Sequence, residues 1–80
     1  MSSEEKLEFI KVESYSGYKA DERPVSFIYD GRKFMVGRII EQWRGPDSDY
    51  FKVEAGDGRE FLLVHNYIKD KWVLEKIFDR

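Results

Sequence analysis

The one histidine of the chain, His65, stands near the end of its densest apolar run, "EFLLVHNY" from Glu60 to Tyr67. An imidazole titrates near neutrality and could act as a general base, but a base needs an orienting group and a reacting atom within reach. No such constellation accompanies His65, and in an extended segment it reads as a packing and hydrogen-bonding residue. One register of the flanking hairpin would set it across from Tyr50 and near Lys52. One histidine and no cysteine do not make a transition-metal site without several carboxylates. Asp47 and Asp49 lack the oxygen-ligand ladder and closing glutamate of a calcium loop. Gly31 and Gly58 sit where hairpins need positive φ, and no Gly-Lys-Ser or Gly-Lys-Thr follows them to cradle a phosphate. Glu54, Glu60 and Glu75 interrupt apolar strands on phases that suit solvent, so they do not form the facing carboxylates of sugar chemistry. The expectation is a protein that is not an enzyme, with no catalytic residue, cofactor or metal.

Binding is the better-supported class. Trp43 and Arg44 at a strand end, Tyr15 and Tyr18 in a polar segment, and the strip Arg32, Lys33 and Arg38 combine stacking surfaces with cations. Single-strand nucleic-acid binders use such groups, and so do protein-binding hot spots, where Trp, Tyr and Arg are enriched. The plainer reading of the same residues is a solvated strand face with ordinary edge packing. Residues 31–44 carry Arg32, Lys33, Arg38 and Arg44 against Glu41 alone, while residues 1–30 are predominantly acidic. Over the whole chain 14 basic residues face 16 acidic ones, a formal charge of -2, which exerts no long-range attraction on phosphate. A protein partner is therefore expected first, and weak single-stranded nucleic-acid binding second.

The 80 residues make one domain, 1–80, near the size at which a core needs help to be stable. Residues 1–6 are expected to form a flexible N-terminal tail. The absence of cysteine fits a reducing cytoplasm. No segment approaches the roughly 18 apolar residues of a membrane span, and "MSSEEKLEFI" does not read as an export signal.

Aromatic residues make up 16% of the chain, and with Val and Ile they recur in short runs broken by Gly and Asp, a β pattern. In "LEFIKVE", Leu7, Phe9 and Lys11 alternate with Glu8, Ile10 and Val12. "SYSGYKADERP" reads as a long loop. "VSFIYDGRKFMV" is the strongest signal, because Asp30-Gly31 suits a two-residue type I′ turn. That register sets Tyr29 beside Arg32, Phe27 beside Phe34 and Val25 beside Val36 on one face. Ser26, Ile28, Lys33 and Met35 take the other, which is only half polar. Gly37 suits a bulge, and adjacent Ile39 and Ile40 cannot both be buried by strict alternation.

The second hairpin has two registers. A two-residue Asp57-Gly58 turn sets Phe51, Val53 and Ala55 with Leu62 and Val64, whereas a three-residue loop Gly56–Gly58 sets them with Phe61 and Leu63. Either way Phe61–Val64 is a central strand covered on both faces. The last strand would carry Trp72, Leu74 and Phe78 on one face and Val73 and Ile77 on the other. The competing reading is an amphipathic helix with Val73, Leu74 and Ile77 at helical spacing, against which the stiff Trp, Val, Ile and Phe side chains favour a strand. The core expected from these patterns is Phe27, Phe34, Phe51, Val53, Leu62 and Trp72. Five or six antiparallel strands with no covering helix must hide their second face by curling into a partial small barrel or by pairing two copies as a homodimer.

The stretches "RPVSFIYDGRKFMVGRIIEQW" and "DYFKVEAGDGREFLLVHNYIKDKWVLEKIFD" resemble a family of small bacterial domains. Its relatives are similar to the C-terminal tail of the catalytically inactive Y-family-polymerase-like protein of mutagenic repair cassettes. Pro24, Phe27, Trp43, Tyr50, Phe51, Lys52, Val53, Glu54, Trp72, Phe78 and Asp79 carry the resemblance. It implies a β architecture and an association with DNA repair, and it transfers no catalytic residue.

Overall fold

A computed structural model describes residues 3–16 and 22–78, with side chains for 8–14 and 23–78. Seven strands follow one another: β1 (Ser3–Phe9), β2 (Lys11–Ser16), β3 (Glu22–Tyr29), β4 (Arg32–Arg44), β5 (Ser48–Ala55), β6 (Glu60–Asn66) and β7 (Lys71–Phe78). They form one antiparallel sheet in the order β1-β7-β6-β5-β4-β3-β2. The two ends of this order are consecutive strands joined at Ile10, so the sheet curls into a nearly closed small barrel. No helix occurs among the described residues.

The first hairpin has the register its turn dictates. Asp30 and Gly31 both take positive φ, 55° and 72°, and Tyr29 pairs with Arg32 and Phe27 with Phe34. The two phenylalanines stack at 5.3 Å, and Phe61 meets Phe27 edge-on at 4.9 Å. In the second hairpin the three-residue loop forms. The Ala55 amide donates to the Arg59 carbonyl (2.8 Å) and Gly58 takes φ 93°, so Phe51 faces Leu63 and Val53 faces Phe61. His65 therefore stands opposite Asp49, not Tyr50.

The inward faces bury Phe27, Phe34, Phe51, Val53, Ala55, Phe61, Leu63, Trp72, Leu74 and Ile77 in one cluster, with Ile10, Val12, Tyr29, Val36 and Ile39 packed against it. Strand β6 is buried on both faces from Phe61 to His65, as its composition requires. Leu62 is buried too, but in the outward phase. Its ladder neighbours are Lys52 and Lys76, whose aliphatic stems can cover it while their ammonium groups lie over the Phe78 ring.

Three expectations need correction, because alternation within one strand shows neither its bulges nor how far it stays paired with a neighbour. The β6–β7 register shifts between Leu62 and Leu63, leaving Glu75 unpaired. Beyond that bulge the phase of β7 inverts, so Ile77 enters the core and Phe78 lies outside. In β3 the register passes from Glu13↔Ser26 to Ser14↔Pro24, and the bulged Val25 is exposed. Pro24, lacking an amide donor, is at home beside such a break. The expected loop 14–24 is shorter, because Ser14–Ser16 and Glu22–Pro24 pair with each other. Residues 3–6 lie in β1, and Ser3 and Glu4 pair with Phe78 and Ile77. An edge of β7 would otherwise lie bare, and covering it raises the strand number to seven.

Strand β4 bulges twice, at Gly37 and at Ile40. A Cβ on Gly37 would lie 3.3 Å from the Glu54 carbonyl oxygen, which explains the glycine where β4 bends over β5. These bulges let one 13-residue strand serve both the β3 and the β5 sides of the barrel.

Candidate functional site

The outward residues of the β3–β4 hairpin are Ser26, Ile28, Lys33 and Met35, and β2 adds Lys11 and Glu13 beside them. Between these strands lies a shallow cleft of about 410 Å³, lined by Lys11, Val12, Glu13, Ser26, Phe27, Ile28 and Lys33. Ile28 and Met35 are 44% and 54% exposed, so the face has an apolar centre and a charged margin.

Ser26 is buried, and its hydroxyl donates to Glu13 Oε1 at 2.7 Å. Lys33 Nζ approaches the same oxygen at 3.3 Å. The Ser26 hydroxyl first, and the Lys33 ammonium second, hold the Glu13 carboxyl below the usual glutamate range. A carboxylate so stabilised is a poor proton acceptor, and the Ser26 hydroxyl is already committed to it as a donor. The trio ties β2 to β3 and β4, and it does not resemble an activated nucleophile.

Along β4 the basic strip is dispersed. Lys33, Arg38 and Trp43 point outward, while Arg32 and Arg44 lie in the other phase at opposite ends of the strand. Arg38 Nε donates to Glu54 Oε1 at 2.9 Å, and this bond raises the guanidinium's affinity for its proton further. Arg44 makes a two-pronged contact with Asp49 at 2.8 and 3.1 Å, and its guanidinium lies 4.8 Å from the Tyr67 ring centre. Tyr67 in turn donates to the Gly45 carbonyl at 2.9 Å. Trp43 stacks on Tyr50 with centroids 5.3 Å apart and planes 2° from parallel. Arg32 lies 5.3 Å from the Phe34 ring centre. Tyr15 pairs with Arg23 in the β2–β3 ladder, its side chain and all of Tyr18 falling outside the described residues. Apart from Lys33, the cations of the strip do not reach the cleft.

His65 belongs to the interior. Its ring stacks on Trp72 at 4.6 Å, and Nε2 donates to Asp70 Oδ1 at 2.9 Å. Asp70 sits in the turn before β7 with φ 55°. No group of three or more His, Cys, Asp or Glu side chains that could hold a metal is found among the described residues, and they include no helix long and apolar enough to cross a membrane.

Ile28, Met35 and Lys11 were outside the set of site candidates drawn from aromatic and basic residues. For Ile28 and Met35 the signal is the half-apolar second face of the first hairpin, which alternation exposes once Phe27 and Phe34 are turned inward, whereas Lys11 reaches the cleft only through the pairing of β2 with β3. Compared with known proteins, the chain matches no family model, no curated protein and no solved structure.

Proposed function

We propose that this domain is a non-catalytic protein-binding module of the cytoplasm that engages its partner through the outer face of the β3–β4 hairpin. The observation that carries this reading is the exposure of Ile28 and Met35 side by side with the cleft. Apolar side chains at the centre of a polar-rimmed face are what a protein partner desolvates. The pairing of Arg38 with Glu54, Arg44 with Asp49 and Lys33 with Glu13 also supports a protein over a nucleic acid, since each cation already has a neighbouring carboxylate. The resemblance in the sequence adds the proteins of a mutagenic repair assembly to the partners worth testing.

Affinity capture from native extract, with the wild-type chain and the Ile28→Glu and Met35→Glu variants in parallel, tests the proposal. A specific protein retained by the wild type and lost from both folded variants is expected. Recovery of nucleic acid alone, or of a protein indifferent to both substitutions, would overturn it.

A further inference from the structure

The barrel has an open place where β1 passes into β2. The Ile10 amide donates to the Trp72 carbonyl at 3.2 Å, so the backbone of Ile10 faces β7. Lys11, the next residue, faces the other way and pairs with Ile28. Backbone direction alternates along a strand, which turns the N–H and C=O of Val12 away from β3. They point to the side where β7 has already ended at Lys71. Among the described residues β2 pairs with β3 alone. An unpaired edge of this kind is a template for another strand. No proline interrupts Lys11–Ser16, and Phe9 and Ile68 near this side of the barrel are 73% and 70% exposed.

An antiparallel strand laid on this edge must place an acid opposite Lys11, an apolar residue opposite Val12 and a base opposite Glu13. Read in reverse, Lys11-Val12-Glu13 is that strand. Lys11 makes no ion pair among the described residues, and Glu13 receives both Ser26 and Lys33 on Oε1, which leaves Oε2 for a further cation. We infer that the free edge of β2 pairs antiparallel with β2 of a second copy of the chain, about a two-fold axis at Val12. Val12 exchanges both backbone hydrogen bonds with its counterpart, and Lys11 of each copy meets Glu13 of the other. A self-complementary patch around a two-fold axis closes the assembly as a dimer. The contact is short, so the dimer forms in a concentration-dependent way. It shares Lys11, Val12 and Glu13 with the lining of the cleft but does not use Met35, so Met35→Glu should leave the dimer intact and separates the two readings.

Sedimentation equilibrium on the full chain tests this. The expected mass rises from the 9.6 kDa of one chain towards twice that value between micromolar and millimolar concentration. Val12→Pro removes the donor on the free edge without touching the β2–β3 ladder, and it should stay monomeric with an unchanged circular dichroism spectrum. Lys11→Glu and Glu13→Lys should each be monomeric alone, and their equimolar mixture should regain the dimer, because opposite charges then face each other throughout. Lys11→Glu, which leaves the tie of Glu13 to Ser26 and Lys33 in place, carries the test if Val12→Pro fails to fold. A wild type that remains monomeric at millimolar concentration, a dimer untouched by Val12→Pro and Lys11→Glu, or a mixture that stays monomeric would each overturn the inference.

Discussion

His65 and Trp72 face each other across β6 and β7, with ring centroids 4.6 Å apart and planes 26° from parallel. Trp72 in turn leans on Phe51 at 5.6 Å, so the imidazole extends the core towards one end of the barrel. Removing it withdraws a stacked partner from a buried indole. His65→Ala should lower unfolding free energy by about 1–3 kcal/mol, read from urea denaturation followed by tryptophan fluorescence. Partner binding at constant folded fraction should not change. A specific loss of binding in folded His65→Gln would show that the residue serves a site and not the core.

The bulge at Glu75 separates two neighbouring apolar residues into different environments. Ile77→Ala should cost about 2–5 kcal/mol as a buried truncation. Phe78→Ala, on the outer face between Lys52 and Lys76, should cost distinctly less although more atoms are removed. Equal costs, or the reverse order in chemical denaturation, would place the bulge elsewhere in β7.

Acid should weaken the tie between β2 and the first hairpin. The folded-state pKa of Glu13 lies below its unfolded value, through Ser26 and then Lys33. Its contribution is thus complete above the ordinary glutamate range and is lost as pH falls through the lower, folded value. The difference in urea midpoint between wild type and Glu13→Gln should shrink as pH is lowered through this window. A pH-independent difference would mean that the carboxylate charge has no part in the tie.

Single-stranded DNA provides the test of the competing reading. Fluorescence anisotropy at low salt should show little binding, because Arg38 and Arg44 are already paired and the Trp43 indole already stacks on Tyr50. Each phosphate neutralised would add to the salt slope, and each stacked base about 1–3 kcal/mol. Saturable binding that survives physiological salt and falls in Arg38→Ala and Trp43→Ala would promote β4 to a nucleic-acid face.

Local chemistry made much of the barrel legible. Asp30-Gly31 admits few turns, so the register of Phe27 against Phe34 follows from two residues whose φ preferences are intrinsic. The double covering of Phe61–Val64 was readable for a similar reason, since no polar residue interrupts the run. The second loop was open between two registers, because both place an apolar set opposite Phe51 and Val53. Packing decides between them: the three-residue loop brings Phe61 edge-on to Phe27. Bulges at Val25 and Glu75 are not legible, because no glycine marks them as Gly37 marks one of those in β4, and their place is set by how two strands fit each other. The same holds for the break at Ile10, where one continuous run of sequence divides between β7 and β3 only because the sheet has curled far enough to offer it both edges. Charges along β4 looked like a basic strip in sequence. Their neutralising carboxylates, Glu13, Asp49 and Glu54, lie on other strands, and pairing across a sheet is a property of the register that no single strand encodes.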